Sequence, residues 1–468
     1  MFVIREIPIK KGENVLINIV SLGHSGEGVG RYQDFTVFIP YALPGEQVKA
    51  KIHEVKKTYA RGRLISVIKP SPERIEPVCS LYHRCGGCQL QHMSYEAQLI
   101  AKRQQVVDAV TRIGKITDAV IKPTIGAENP WYYRNKMQFP VGMVNQEIAI
   151  GCYEQGTHAI VDTEHCYIQH DSNNVIAQQV RVTLTELNIS TYDEKTGQGV
   201  VRHVLGRVGT ASGEVMVVLV TATDSLPHKQ EVISRLRNQI PGLVSIIQNV
   251  NPKNTNVIMG NRTITLWGKD TITDALGAFQ FHISARSFFQ VNTLQAKVLY
   301  DQAVVYAGLT GQETVIDAYC GTGTITLFLA QKAKNVFGIE IVEPAIEDAN
   351  RNAARNGVKN AEFIVGDAVQ VMPDLYEKGL RPEVIVVDPP RAGCERVVLE
   401  TFVNMHPERI VYVSCNPASL ARDLAILAEY GYKTVEIQPV DMFPQTFHVE
   451  CCVWLKRKHI ASSEAGRC

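Results

Sequence analysis

No stretch of this chain is apolar for long enough to cross a bilayer as a helix, which sets aside a helical membrane protein. Its opening residues, MFVIREIPIKKGENV, are interrupted by Arg5, Glu6, Lys10 and Lys11. They lack the unbroken hydrophobic region of a secretory signal, so a cytoplasmic location is expected. A surplus of either charge is also missing: 48 Lys and Arg stand against 47 Asp and Glu. Any nucleic-acid partner must then be met by local basic patches and not by a global field. Internal repeats and low-complexity tracts are absent. The 468 residues exceed one hydrophobic core and call for roughly two to four domains. Cysteine breaks this restraint, with 11 residues. In a reducing compartment they read as metal-binding, catalytic or buried thiols, not as disulfides.

From Val15 to Pro70, runs rich in Val and Ile (VLINIVSL, FTVFIP, EQVKAKIHEV, GRLISVI) are separated by Gly- or Pro-containing turns such as GHSGEGVG. This pattern predicts an antiparallel barrel of about five strands. Lys56, Lys57, Arg61 and Arg63 surround Tyr59, a pattern shared by nucleic-acid-binding barrels and by solvated hairpins. After the linker KPSPERIEP and a cysteine group, SYEAQLIAKRQQVVDAVTRIG predicts an amphipathic helix over 94–114 with Ser94 as its N-cap. Mixed strands and helices follow to about Ile283. Strands and helices then alternate to the end, which implies a parallel sheet whose ligands bind at the carboxyl ends of the strands. The expected division is a barrel over 1–69, a central α+β domain over 70–284 with its cysteine loop, and a Rossmann-like domain over 285–458. A flexible tail over 459–468 completes it, and the helix 94–114 is placed to pack on the last domain. The fold class is multidomain α/β.

The first strand of the alternating region ends in Asp317-Ala318-Tyr319-Cys320-Gly321-Thr322-Gly323 and enters a helix, where glycines let backbone approach a ligand. About twenty residues on, the next strand ends in Glu340, able to hold both hydroxyls of a ribose. An adenosine-containing cofactor is indicated. The third glycine of a dinucleotide site is missing, and the pattern resembles the methyltransferase form, in which Asp367 of Gly366-Asp367-Ala368 would face the adenine. Helix capping by Asp317 and Asp367 is the competing reading.

Two later strands end in Asp388-Pro389-Pro390-Arg391 and Ser414-Cys415-Asn416-Pro417. Asn416 and Pro417 suit the N-cap and first position of a helix, which puts Cys415 beside a helix N-terminus and predicts a lowered thiol pKa. Glu450 closes Phe443-Pro444-Gln445-Thr446-Phe447-His448-Val449-Glu450 before the apolar run CCVWL, an expensive place for a carboxylate without a partner or a task. With DPPR, SCNP and FPxTxHVE all present, the chain resembles the bacterial RNA uridine-C5 methyltransferases, in the iron-sulfur form with an N-terminal TRAM domain. That resemblance implies Cys415 as nucleophile and Glu450 as base. It places Gln290, Tyr319, Glu340 and Asp388 at S-adenosyl-L-methionine, with Asp367 a further adenine contact. The chemistry agrees: uracil C5 attacks a methyl sulfonium only after a thiolate has added to C6, and a base must then remove the C5 proton.

Cys79, Cys85 and Cys88 share one short loop, with Cys166 downstream as a fourth ligand. Spacing leaves zinc and iron-sulfur both open; the resemblance implies a [4Fe-4S] cluster. Cys152, Cys320, Cys394, Cys451, Cys452 and Cys468 read as packing or solvent-facing thiols. Arg134 and Lys136 lie beside aromatic residues in WYYRNKMQF, either as an RNA contact or in a half-buried strand. Partner and target follow from the resemblance: RNA, with 23S rRNA ahead of the tRNA T-loop, no membrane, and action as a monomer. The rivals are a non-catalytic RNA-binding iron-sulfur protein and an N-methylating enzyme, which would need no cysteine.

Overall fold

The computed structural model describes residues 7–458; Cys468 and the 459–468 tail lie outside them. Strand Asn14–Leu22 buries Val15, Ile17 and Ile19 and exposes the residues between, the alternation of a half-buried strand. It opens a closed barrel of five strands, in the order 14–22, 28–32, 35–39, 59–69, 47–55. One pair departs from the expected antiparallel barrel: strands 35–39 and 59–69 run parallel, the pairing that closes it. The last three residues of the Gly-rich stretch read as a turn already belong to the strand Gly28–Tyr32. A Cβ on Gly28 would lie 2.6 Å from the Ala42 carbonyl oxygen, and one on Gly30 would lie 2.3 Å from Ile17 Cγ2, so these glycines serve close strand packing.

The helix Tyr95–Arg112 starts at Ser94, whose hydroxyl accepts from the Ala97 amide. Its Val106 and Val110 enter the apolar cluster that holds Ile316 and Ile385 of the C-terminal sheet and Leu424 of the helix Pro417–Glu429. The same buried stripe carries Gln98 and Lys102. Lys102 Nζ lies 2.5 Å from Asp441 Oδ1, both side chains being almost wholly shielded from water. Such a pair resists loss of one partner, which leaves a buried charge and costs about 3–5 kcal/mol.

The central sheet has seven strands, in the order 262–268, 243–250, 215–221, 201–208, 136–144, 147–153, 160–162. The C-terminal sheet has eight, in the order 361–365, 335–340, 314–318, 384–387, 409–414, 450–457, 432–440, 120–121. The first five run parallel, as the alternation implied. Strand Glu450–Arg457 runs antiparallel between Arg409–Ser414 and Tyr432–Val440. That reversal brings its first residue, Glu450, to the edge where the parallel strands end. The expected multidomain α/β architecture, with an N-terminal barrel and a Rossmann-like C-terminal sheet, is what the chain adopts. Among the described residues, no helix is long and apolar enough to cross a membrane.

Candidate active site

Strand Thr314–Ala318 runs into a tight turn in which Tyr319, Gly321 and Gly323 all have left-handed φ, of 64°, 55° and 79°. Space around Gly321 is open, whereas a Cβ on Gly323 would meet the Phe363 ring at 2.9 Å. Asp317 does not cap the following helix. It is buried with one oxygen 2.6 Å from the Thr326 hydroxyl, and its other oxygen has no hydrogen-bond partner among the described residues. Burial, opposed by the Thr326 bond and reinforced by Asp388 and Glu340, pushes its pKa up to about 7. Glu340, at the end of the adjacent strand, accepts from the amides of Gly321 and Val342 at 3.2 and 2.9 Å. Asp367 is exposed and caps the helix Ala368–Glu377 through the Val369 amide, 2.9 Å away. The capping reading is therefore realised for Asp367, although it also lies near enough to Tyr319 to help burial raise that phenol to about 12.

Asp388 follows strand Val384–Val387, whose last residue pairs with Ala318 on one side and Tyr412 on the other. It therefore stands next to the Tyr319 turn, and burial raises its pKa to about 7. Cys415 follows Ser414, which pairs with Cys451, so register sets Cys415 and Glu450 side by side on neighbouring strands. Burial, with Asp388 adding and Arg391 opposing, raises Glu450 to about 8. The Cys415 thiol also moves up, through burial and then Glu450, with Arg391 pulling it down. This runs against the lowered thiol expected from the helix N-terminus: burial is the largest cause, and the carboxylates of Glu450 and Asp388 add to it. Asn416 caps the helix Pro417–Glu429 as foreseen, and with Ser419 it donates to the Arg391 carbonyl, tying the two motif loops together. Gln290 lies in the segment before helix Thr293–Ala307, near the buried Tyr300, which is also close to Asp388 and Glu450.

Sequence reasoning passed over three groups here. Arg391 was quoted within its motif without a task. His448 and Phe447 lie with rings 4.2 Å apart and line a cleft of about 730 Å³ together with Cys415. Burial and then Arg391 push His448 down to about 4, so it stays neutral. The barrel lines the same cleft, through Gly23, His24, Arg31 and Phe38. Tyr59, singled out from sequence, sits edge-on behind Phe38, while Lys56 and Arg61 pair with Glu54. The surface facing the cleft comes instead from the end of strand Asn14–Leu22, the Gly-rich stretch and the strands after it.

Cys79, Cys85, Cys88 and Cys166 all line one cavity of about 210 Å³, together with Arg134 and Cys152. Among the described residues, no set of three or more His, Cys, Asp or Glu is grouped to hold a metal ion. The sulfur of Cys85 is engaged with Cys152, a residue read from sequence as mere packing. A Cβ on Gly87 would meet both sulfurs, at 3.4 and 3.7 Å. Lys136, at the start of a strand, is lowered to about 8 by burial, Arg207 and Arg134.

The crowding of carboxyls gives a pH signature. Asp317, Asp388 and Glu450 keep protons in the folded state at pH values where the unfolded chain has released them, near 4. Their stabilising effect is complete below the unfolded values and fades as pH rises through about 7 for the aspartates and about 8 for Glu450. Thermal melting of ligand-free protein should fall across that window, with a shallower slope in Asp388→Asn. A melting temperature that climbs there would refute the assignment.

Comparison with known proteins shows the family and the fold. The profile of the tRNA (uracil-5-)-methyltransferase family matches residues 132–458, and that of the TRAM domain matches residues 8–65. An uncharacterized RNA methyltransferase of Halalkalibacterium halodurans is 53% identical over 455 residues, spanning 97% of this chain and 99% of its own. Another from Clostridium acetobutylicum is 51% identical over 453 residues, spanning 96% and 98%. Among solved structures, the Pyrococcus abyssi tRNA (uracil-54, C5)-methyltransferase in complex with S-adenosyl-L-homocysteine matches with a TM-score of 0.76 at 29% identity, covering 94% of this chain and 100% of that one.

Proposed function

Because this chain belongs to the tRNA (uracil-5-)-methyltransferase family, carries a TRAM domain and is thus an RNA methyltransferase, we propose that it converts a uridine of 23S rRNA to 5-methyluridine with Cys415 as nucleophile and Glu450 as base. The observation that carries this reading is the register that sets Glu450 beside Cys415, which itself lines the cleft between barrel and sheet.

In this mechanism the Cys415 thiolate, its charge balanced by Arg391, adds to C6 of a uracil that has left its stack and entered the cleft. The ring electrons then make C5 nucleophilic. After the methyl group has joined C5, the Glu450 carboxylate takes the C5 proton, the C5–C6 double bond re-forms and the thiolate leaves. A carboxyl poised near 8 suits a base working near neutral pH.

S-adenosyl-L-methionine is the cofactor this site fits. Asp317, Glu340, Asp388 and Glu450 gather acidic groups with an unpartnered Asp317 oxygen among them, which suits a ligand bearing a sulfonium and an ammonium. When bound, it supplies an electrophilic methyl group. Glu340 would hold its ribose and Gln290, Tyr319 and Asp388 its remaining polar groups, with Asp367 left as an outer contact. The related Pyrococcus protein binds S-adenosyl-L-homocysteine.

For the cysteine cavity we infer a [4Fe-4S] centre on Cys79, Cys85, Cys88 and Cys166. Support comes from the convergence of thiols from two distant segments on one cavity and from burial, which raises Cys166 to about 11 and Cys88 further. Such thiols stay protonated until a cation offsets their charge. Protein purified without air should be brown and carry iron and sulfide, with Cys88→Ser colourless and weaker on RNA. A colourless protein loaded with zinc would refute the cluster.

The Pyrococcus protein acts on tRNA and aligns along nearly this whole chain, so a tRNA T-loop uridine is the second reading. Mapping 5-methyluridine in cells lacking the protein separates them: loss from 23S rRNA supports the first, and loss from tRNA alone the second.

A further inference from the structure

Glu450 opens its strand directly after the segment 441–449, and almost every residue of that segment's first half is held from outside. The kink is Gln445, a non-glycine residue with φ of 69° that is nearly fully buried. A left-handed conformation is strained by roughly 1–2 kcal/mol for such a residue and persists only where neighbours enforce it. Here the amides of Gln89 and Leu90 both donate to the Gln445 carbonyl, each at 3.0 Å. The Gln98 side chain donates to Gln445 Oε1 and accepts from the Gln445 amide, both at 3.1 Å. Gln98 is itself fixed, since its amide nitrogen also donates to the carbonyls of Leu90 and Met93. Lys102 reaches Asp441 and the Phe443 carbonyl, and the Tyr133 hydroxyl donates to the Pro444 carbonyl at 3.1 Å.

Apart from the Tyr133 bond, these contacts come from the stretch that leaves the cysteine loop and enters the helix Tyr95–Arg112. We propose that Gln98 is a positioning residue for the reaction: by locking the Gln445 kink it sets the angle at which strand Glu450–Arg457 begins and so aims the Glu450 carboxylate. The inference rests on the reading of Glu450 as the base. It also makes the cysteine loop and the base one mechanical unit, because Gln89 follows Cys88 directly.

The test is Gln98→Leu in the full-length protein. Amide hydrogen exchange over 443–449 should quicken by about tenfold, as loss of roughly one hydrogen bond predicts, with strand 409–414 unchanged. Release of tritium from [5-³H]uridine RNA, the step that needs the base, should slow by about tenfold or more in kcat with KM little moved. Capture of 5-fluorouridine RNA as a covalent adduct, which needs Cys415 and not proton removal, should keep its rate. Adding Gln445→Gly, which takes a positive φ without strain, should restore part of the tritium release. If Gln98→Leu does not fold, Tyr133→Phe, losing only the Pro444 contact, should shift exchange and tritium release in the same direction to a smaller extent. Wild-type exchange and tritium release in a folded variant would overturn the proposal. Absence of adduct in the wild type would instead sink the reading of Cys415 and Glu450, and exchange would still judge the clamp.

Discussion

Cys415→Ala should abolish methyl transfer, reducing turnover by roughly 10⁴-fold or more, as removal of a covalent nucleophile does elsewhere. It should also remove all covalent capture of 5-fluorouridine RNA. The size of the effect follows from the uracil ring: with nothing added at C6, C5 lacks the electron density to attack a methyl sulfonium, and no neighbour can substitute. Cys451 is paired with Ser414 on the neighbouring strand but fully buried, with its thiol pushed well up by burial and Glu450. Cys415 alone borders the cleft at this point. Because it is only partly buried and follows the strand's last paired residue, the alanine variant should melt within a few degrees of wild type and bind the cofactor normally. Methyl transfer from Cys415→Ala at more than a trace rate would refute covalent catalysis and favour a heteroatom target.

What could be read from sequence was what the chain writes contiguously. The strand, left-handed turn and helix around Asp317–Gly323, and the capped helix after Cys415, are local, so residue type and spacing announce them. The electrostatics of the same residues could not be read that way. The Cys415 thiol moves up through burial and then through Glu450, which lies 35 positions later in the numbering and arrives on an antiparallel strand beside it. A helix-terminus argument includes neither the burial nor a carboxylate whose strand pairing is unknown. Cys152 was passed over for the same reason, since only the fold brings its sulfur to Cys85. The Gly28–Tyr32 strand was hidden because its glycines mark close strand approach as well as turns. One distant signal was nevertheless present: Gln98 and Lys102 stand on the apolar stripe of a helix together with Val106 and Val110. Polar residues at buried helical spacing need partners, and theirs are Gln445 and Asp441.

Glu450→Gln should divide the reaction in two. The amide keeps the shape of the carboxyl, cannot take a proton, and removes a group that burial and Asp388 already press toward neutrality. Addition of Cys415 to C6 and methylation at C5 should therefore proceed, and the Cys415 thiol should titrate at lower pH because Glu450 is the charge that raises it most after burial. The proton on C5 would then have no acceptor, so the thiolate could not leave. Turnover should drop by about 10²–10⁴-fold, the usual worth of a positioned base, while a methylated RNA–protein adduct accumulates on ordinary uridine RNA. Denaturing gels of Glu450→Gln with RNA carrying a labelled methyl group would show it as a band that the double variant with Cys415→Ala lacks. The acid limb of the pH–rate profile near 8 should disappear along with it, because the group that sets it is gone. A variant that turned over normally, or that lost activity without trapping RNA, would place the base elsewhere; Asp388, raised to about 7 and next to the same pocket, would then be the residue to test.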